Sequence, residues 1–256
     1  MQNVIVPLNA FDRFEVLANG QESFIKLIAQ SGAYGVEIRR ELLPVQDPQL
    51  DTIQNEMASN GLFAVYSAPI ELWKEDHQLN DTELTEIFQE ALILGAKWLK
   101  VSLGYYKKEI SNMTELASFL NQYKDIQLLV ENDQTPHGAD INQLTSFFEN
   151  VTEHEVPVKM TFDAGNWYYS GQSVEDALAK LSPYVLYLHL KQVEEGPITV
   201  PLQKEGNHSW KKVMQQFPST MVKALEFPIE PKEKTKDYID LISELVIESE
   251  AISCNS

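Results

Sequence analysis

Three short apolar runs end in a carboxylate at the point where a strand should meet its loop, and a fourth carries an imidazole. The runs are "LLVE", "MTFD", "KALE" and "LYLHL". Carboxylate oxygens together with one imidazole are donors that divalent metals use in proteins. We therefore treat these side chains as one candidate metal site. They are Glu131, Asp163, His189 and Glu226.

The alternation inside each run predicts where these side chains point. Successive side chains of a strand face opposite sides, so the apolar residues of a run share one face. In "VLYLHLK" the polar His189 and Lys191 lie opposite that face. The apolar face of this run consists of Leu186, Leu188 and Leu190. The carboxylate at the end of each of the other runs is likewise opposite its apolar neighbours.

Helix signals separate the strand candidates. Asp47 followed by Pro48 predicts a helix start, Gly95 predicts a helix end, and Asp140 and Ser173 are predicted N-caps. The strand candidates are "NVIVPL", "YGVEIR", "LFAVYS", "WLKVSL", "IQLLVE", "VKMTFD", "VLYLHLK" and "VKALEF".

Eight strands, each followed by a helix, predict an α/β fold of the (β/α)8 TIM-barrel type. Eight units in 256 residues average about 32 residues each, which suits a barrel of this kind. No linker divides the chain, so we expect one domain over residues 1–256. An open doubly wound sheet is the alternative, but "VPLNAFDRF" lacks its glycine-rich phosphate turn. In a barrel the carboxyl ends of the strands meet at one rim, which would bring the four candidate ligands together.

The amino-acid composition limits the classes of binding partner that we expect. A formal net charge of −18 with no basic patch argues against nucleic acid and anionic membranes. No signal peptide and no membrane-spanning run is recognisable, so we expect a soluble, cytoplasmic protein. Apolar residues on the outer helices could support a homodimer. The single cysteine, Cys254, excludes an internal disulfide.

Three carboxylates on one rim require a cation. Without one they would repel each other and take up protons. A divalent metal resolves this conflict, and three carboxylates with one imidazole favour Mn²⁺, although Mg²⁺, Co²⁺, Fe²⁺ or Zn²⁺ could use the same donors.

The whole chain resembles the xylose isomerase-like barrel superfamily, in particular its sugar (phosphate) isomerases and epimerases. The motifs that carry the resemblance are "GVEIRREL", "GAKWLKVSLG", "LLVENDQT", "FDAGNWYYSGQ", "LYLHLKQV", "VPLQKEGNHSW" and "ALEFP". The resemblance implies a metal held by four side chains on strands five to eight. These fall on Glu131, Asp163, His189 and Glu226.

The resemblance also implies a reaction: proton transfer beside a carbonyl through a metal-stabilised enediolate of a sugar, sugar phosphate or polyol. Glu131 and Glu226 would then be the catalytic acid and base. Ketose epimerases of this family commonly have a histidine where this chain has Asn166 and an arginine where it has Glu195. Endonuclease IV-like relatives need several more metal-binding histidines, which argues against DNA repair.

Six further residues are predicted substrate contacts. Lys191 could bind a substrate oxyanion or neutralise the acidic rim, and Glu37 and Arg39 could bind hydroxyl groups or pair with each other. The remaining three are Asn166 and Trp167, expected at the barrel mouth, and Lys100 on the fourth strand.

Two other functions share the predicted site. A keto-polyol dehydratase of the inosose type begins with the same proton abstraction, so the ligand set does not separate it from an isomerase. A non-catalytic sugar-binding relative would keep the metal site but not turn over its ligand. No phosphate-binding motif is recognisable, so phosphorylation of the substrate stays open.

Overall fold

Eight parallel strands close into a barrel, and helical segments connect them. A computed structural model describes residues 3–196, 198–206 and 208–253 of the chain. The first strand pairs with the second and with the last strand, which closes the sheet and confirms the predicted (β/α)8 barrel. In chain order the strands are β1 (Val4–Pro7), β2 (Gly35–Arg39), β3 (Phe63–Trp73), β4 (Trp98–Gly104), β5 (Gln127–Glu131), β6 (Val158–Asp163), β7 (Val185–Leu190), the hairpin strands β8 (Gln192–Glu194) and β9 (Ile198–Val200), and β10 (Val222–Leu225).

The helices form the outer layer of the barrel. They are α1 (Arg13–Asn19), α2 (Glu22–Gln30), α3 (Leu50–Ser59), α4 (Asp81–Leu94), α5 (Met113–Leu120), α6 (Ile141–Glu153), α7 (Asn166–Ser170), α8 (Val174–Leu181), α9 (Ser209–Gln215) and α10 (Thr235–Ser253). Single 3-10 turns cover Leu8–Ala10, Arg40–Leu42, Ser182–Tyr184 and Lys232–Lys234. No described helix is long and apolar enough to cross a membrane.

Three of the predicted helix boundaries are confirmed. The side chain of Asp140 caps α6, the hydroxyl of Ser173 caps α8, and Gly95 ends α4 in a left-handed conformation with φ of 65°.

The predicted start of α3 is wrong. Asp47 has a φ of 54°, and its carboxylate accepts a hydrogen bond from the Gln49 side chain instead of capping helix amides. The helix therefore begins only at Leu50, three residues beyond the predicted cap.

Two apolar clusters lie on the two sides of the sheet. The outer cluster packs the strands against the helices and includes Val36, Val130 and Phe162. The inner cluster fills the barrel interior and consists of Ile5, Val65, Leu129, Tyr187 and Ala224. Because these inner residues occupy the barrel below the strand ends, polar side chains are gathered at the mouth.

One predicted side-chain direction in β7 is wrong. Met160 pairs with Val185 and Thr161 pairs with Tyr187, so β7 carries one extra residue, Leu186, opposite β6. Leu186 packs against the inner cluster and not against the helices, because the bulge shifts the alternation at this point. From Tyr187 onward the predicted alternation holds, with Leu188 in the outer cluster.

Candidate metal centre

Four side chains converge at the mouth of the barrel, at the carboxyl ends of four neighbouring strands. One ligand atom from each lies within 4.8 Å of the others. The Nδ1 atom of His189 is 3.1 Å from Oε1 of Glu131, 3.0 Å from Oε2 of Glu226 and 4.0 Å from Oδ2 of Asp163. The structure thus brings together the four residues that the sequence predicted to share one rim.

The residues fit a divalent metal ion. Nδ1 of His189 and Oε1 of Glu131 are buried and have no hydrogen-bond partner among the described residues. Two ligands at right angles, each about 2.1 Å from an ion, are about 3 Å apart. The separations of His189 Nδ1 from Glu131 and from Glu226 match that value, so one ion would satisfy both orphaned atoms.

The candidate metal site also contains a lysine. The Nζ atom of Lys191 lies 2.8 Å from Oδ2 of Asp163 and 2.9 Å from Oε2 of Glu226, and it donates to Oδ1 of Asn166 at 3.2 Å. The ammonium therefore neutralises part of the acidic rim, one of the two roles predicted for it. Its aliphatic stem crosses Gly165, where an added Cβ would be 2.5 Å from Cδ of Lys191.

Asparagine side chains hold the turn after β6. Asn132 accepts a hydrogen bond from the amide of Asp163 and donates to its carbonyl oxygen, both at 2.9 Å. Oδ1 of Asp163 accepts from the amides of Gly165 and Asn166. The Asn166 side chain donates to the carbonyl of Asn132 and accepts from Gln134. Because these bonds fix one carboxylate oxygen, Oδ2 of Asp163 is left to face the other ligands.

Charged groups at the mouth set the ionisation of the carboxylates. Burial alone would raise the pKa of Glu226, but Lys191 and His189 outweigh it and hold the pKa well below its usual range. Burial is likewise outweighed at Glu131, where Lys100 and His189 lower the pKa of the carboxyl group. Both glutamates are therefore held as carboxylates, the form that ligates metals and accepts protons.

Above these residues lies a cavity of about 400 Å³ with a polar lining. Three of the predicted substrate contacts line it, namely Arg39, Asn166 and Lys191, beside Glu131 and Glu226. Its volume lies in the range of small-molecule sites, and its donors and acceptors suit a polyhydroxylated ligand.

The cavity-lining residues that the sequence analysis missed include two amide side chains. Asn9, just after β1, donates to Oε1 of Glu226 at 3.1 Å, and Gln134 donates to Asn166 at 3.1 Å. Both follow the carboxyl end of a barrel strand, and this position could have identified them.

Two predicted substrate contacts are buried below the cavity and are not among the residues that line it. Lys100 is 1% exposed and Glu37 is 0% exposed, and they face each other at 3.2 Å. Lys100 pairs in register with Leu129 and Glu37 with Val65, both in the inner cluster, which places them below the mouth. Nothing in the structure supports a substrate contact at Lys100 or Glu37, because neither residue lines the cavity. The alternative for Glu37, an ion pair with Arg39, is present at 2.7 Å.

The predicted position of Trp167 at the mouth of the barrel is wrong. Trp167 is fully buried in the outer cluster and packs against Phe162, with ring centroids 5.7 Å apart. Because α7 begins at Asn166, successive side chains point about 100° apart. Asn166 therefore faces the cavity while Trp167 faces the core.

Comparisons with known proteins show the fold. No protein-family model matches the chain, and no curated protein matches its sequence. Among solved structures, a xylose isomerase domain containing protein of Salmonella typhimurium aligns with a TM-score of 0.70 at 14% identity, covering 98% of this chain and 97% of that one. A D-allulose 3-epimerase from Methylomonas aligns with a TM-score of 0.67 at 13% identity, covering 96% and 97%. The IOLI protein, solved with a zinc atom, aligns with a TM-score of 0.66 at 14% identity, covering 96% and 97%. The chain therefore has the fold of the xylose isomerase-like TIM barrels.

Proposed function

We propose that the protein is a divalent-metal-dependent isomerase or epimerase of a sugar or a sugar-like polyol. The observation that carries this proposal is the set of four converging ligand atoms at the floor of a polar cavity, among which the buried Nδ1 of His189 makes no hydrogen bond to the described residues. The epimerase and the zinc-containing protein with the same fold support it. Mn²⁺ suits the three carboxylates and one imidazole, and Zn²⁺ is the alternative.

The two glutamates are the proposed proton carriers. When bound, a divalent ion would act as a Lewis acid toward the carbonyl oxygen and a neighbouring hydroxyl of the substrate. Glu131 ends β5 and Glu226 follows β10, so the two carboxylates reach the cavity from strands separated by β6 and β7. A carboxylate on each side of a substrate permits proton removal from one face and delivery to the other.

The remaining cavity residues would orient the substrate. Arg39 and Lys191 direct donors into the cavity while both pair with Glu226. These cations favour the ionised form of Glu226 and would attract oxygen atoms that gain negative charge during proton transfer. Asn166 and Gln134 form a hydrogen-bonded amide pair that can exchange partners with hydroxyl groups.

A keto-polyol dehydratase is the second candidate. It needs the same proton acceptor and, in addition, an acid for the leaving hydroxyl group. Lys191, beside Glu226, is the cavity cation placed to assist such a departure. Product analysis separates the two reactions, because a dehydratase releases water and an isomerase conserves the mass of its substrate.

The test is metal-dependent exchange of solvent deuterium into candidate substrates. The protein, loaded with Mn²⁺, is incubated in D2O with a panel of ketoses, aldoses and inososes, and the products are read by NMR and mass spectrometry. We expect one deuterium at the carbon beside the carbonyl, lost with a chelator and in Glu131→Gln. Glu153→Gln, an exposed carboxylate on α6, is the matched control and should exchange normally.

Three results would contradict the proposed isomerase. A product lighter by one water identifies the dehydratase. Metal-dependent sugar binding without any exchange identifies a non-catalytic sugar-binding protein. Failure of the folded protein to bind any divalent ion removes the basis of the proposal.

A further inference from the structure

A buried carboxylate lies directly beneath the candidate metal centre. Glu37, in β2, is fully buried and faces donors from two other strands, β4 and β7, as well as its own. It accepts hydrogen bonds from Arg39 at 2.7 Å, Tyr187 at 2.9 Å and His189 at 3.0 Å, and Nζ of Lys100 lies 3.2 Å away. Glu37 is separated from His189 by 152 positions in the chain, so only the closed barrel creates this contact.

The contact distinguishes the two nitrogens of His189. Nε2 faces Oε2 of Glu37, whereas Nδ1 faces Glu131 and Glu226. An ionised carboxylate only accepts hydrogen bonds, so Nε2 must carry the proton that it donates to Glu37. In a neutral imidazole the lone pair is then on Nδ1, the nitrogen that faces the ligand carboxylates.

The ionised state of Glu37 is maintained by its surroundings. Two cations face Oε1 of Glu37, with the Arg39 guanidinium at 2.7 Å and Nζ of Lys100 at 3.2 Å, and they favour a carboxylate over a neutral acid. Tyr187 adds a neutral donor to Oε2, the oxygen that faces His189. A buried charge in a largely apolar layer is costly unless it is paired in this way, and a packing role alone would be served by an apolar side chain.

We propose that Glu37 is a positioning residue that holds His189 with its proton on Nε2 and so presents Nδ1 to a divalent metal. This inference rests on the proposed metal-dependent function. Glu37 does not touch the substrate cavity and acts only through His189. Carboxylates that orient a metal-binding histidine typically change metal affinity by about 10- to 100-fold when removed.

The experiment compares Glu37→Gln with the parent by two measurements. Zn²⁺ and Mn²⁺ are titrated against a competing chelator, and the nitrogen shifts of His189 are recorded with and without Zn²⁺. We expect about 10- to 100-fold weaker binding of both metals in Glu37→Gln. In the parent, Nε2 of His189 should be protonated both with and without Zn²⁺. In metal-free Glu37→Gln the preference for a proton on Nε2 should weaken, because the glutamine amide can donate a hydrogen bond as well as accept one.

Glu90→Gln is the matched control. Glu90 also pairs with a tyrosine and an arginine, accepting from Tyr66 at 2.6 Å and from Arg40 at 2.9 Å, but it lies on α4 outside the barrel. Its replacement should leave metal affinity and the His189 shifts unchanged.

The outcomes separate this inference from the proposed function. If the parent binds neither metal, the proposed function fails. If the parent binds metal and Glu37→Gln binds it equally well with unchanged nitrogen shifts, only the positioning role is overturned. If Glu37→Gln does not fold, the nitrogen shifts of His189 in the zinc-bound parent test the inference. Zn²⁺ bound through Nε2 of His189 overturns it, and Zn²⁺ bound through Nδ1 with Nε2 protonated supports it.

Discussion

The ammonium of Lys191 lies 2.8 Å from Asp163, within the ligand set of the candidate metal centre. Burial raises the pKa of Asp163 to about 7, so a bound metal would keep this carboxylate ionised. With all three carboxylates of the centre ionised there are three negative charges, and Lys191 compensates one of them. The remaining two negative charges equal the charge of one divalent ion. A lysine beside the ligands is therefore compatible with a metal, because it leaves the charge that a divalent ion neutralises.

The first prediction concerns that ammonium. Lys191→Met keeps the aliphatic stem but removes the charge, so we expect about tenfold tighter Mn²⁺ binding together with loss of deuterium exchange. The affinity for the metal should increase because the substitution removes a cation that lies 2.9 Å from a ligand oxygen of Glu226. Competition titration gives the affinity, and Lys159→Met, an exposed lysine in β6, is the control. Weaker metal binding in Lys191→Met would show that the lysine supports the ligand geometry more than it repels the ion.

The second prediction concerns the ligands. Elemental analysis of the purified parent should give about one divalent ion per chain after loading with metal. His189→Ala and Glu226→Ala should each lose it, because each removes one of the converging ligand atoms. Circular dichroism must show that both variants are folded for the loss to count. Retention of stoichiometric metal by both folded variants would place the ion elsewhere in the protein.

The third prediction concerns the glycine beneath the lysine stem. In Gly165→Ala the new Cβ would lie 2.5 Å from Cδ of Lys191, so the lysine must move away from Asp163. We expect a loss of about 1–3 kcal/mol in the free energy of unfolding and a larger relative loss of exchange activity. Gly61→Ala is the control for a loss of stability without a clash, since Gly61 has a φ of +65° that strains an alanine but no atom within 4 Å of an added Cβ. Equal effects of the two substitutions on exchange would contradict the steric explanation.

The fourth prediction concerns a lysine outside the site. Lys223 in β10 is 2% exposed and donates to the carbonyl of Ser219 at 3.0 Å. Burial lowers its pKa from 10.5 to about 8. Between these values the unfolded chain holds a proton that the native protein has released, so the stability contributed by this group rises with pH.

Lys223→Met should therefore stabilise the protein by about 2 kcal/mol at pH 7, and the gain should shrink as the pH rises toward 10.5. Urea unfolding of parent and variant at pH 7 and pH 10 measures this difference. Because the comparison is with the parent, the titration of the other lysines and tyrosines cancels. A gain that is the same at both pH values would show that Lys223 titrates normally in the native protein.

The sequence by itself determined the fold class and the set of converging ligands. Side-chain alternation is a local property of a strand, and all barrel strands run in the same direction, so residues at their carboxyl ends must meet at one rim. For this reason Glu131, Asp163, His189 and Glu226 could be identified without any knowledge of tertiary contacts. The directions of Glu37 and Arg39, with Val36 and Ile38 on the opposite face, follow from the same alternation.

Only the tertiary structure decided how deep each side chain lies in the barrel, which charged side chains pair with each other, and where the alternation of side chains along a strand is interrupted. The height of Lys100 in the barrel depends on how β4 is staggered against its neighbours, a property of barrel closure and not of its own sequence. The bulge at Leu186 and the helical turn that buries Trp167 likewise arise where strands and loops pack together. The contact between Glu37 and His189 forms for the same reason: closure of the sheet brings side chains from opposite ends of the chain into one enclosed layer, where their charges must pair with each other.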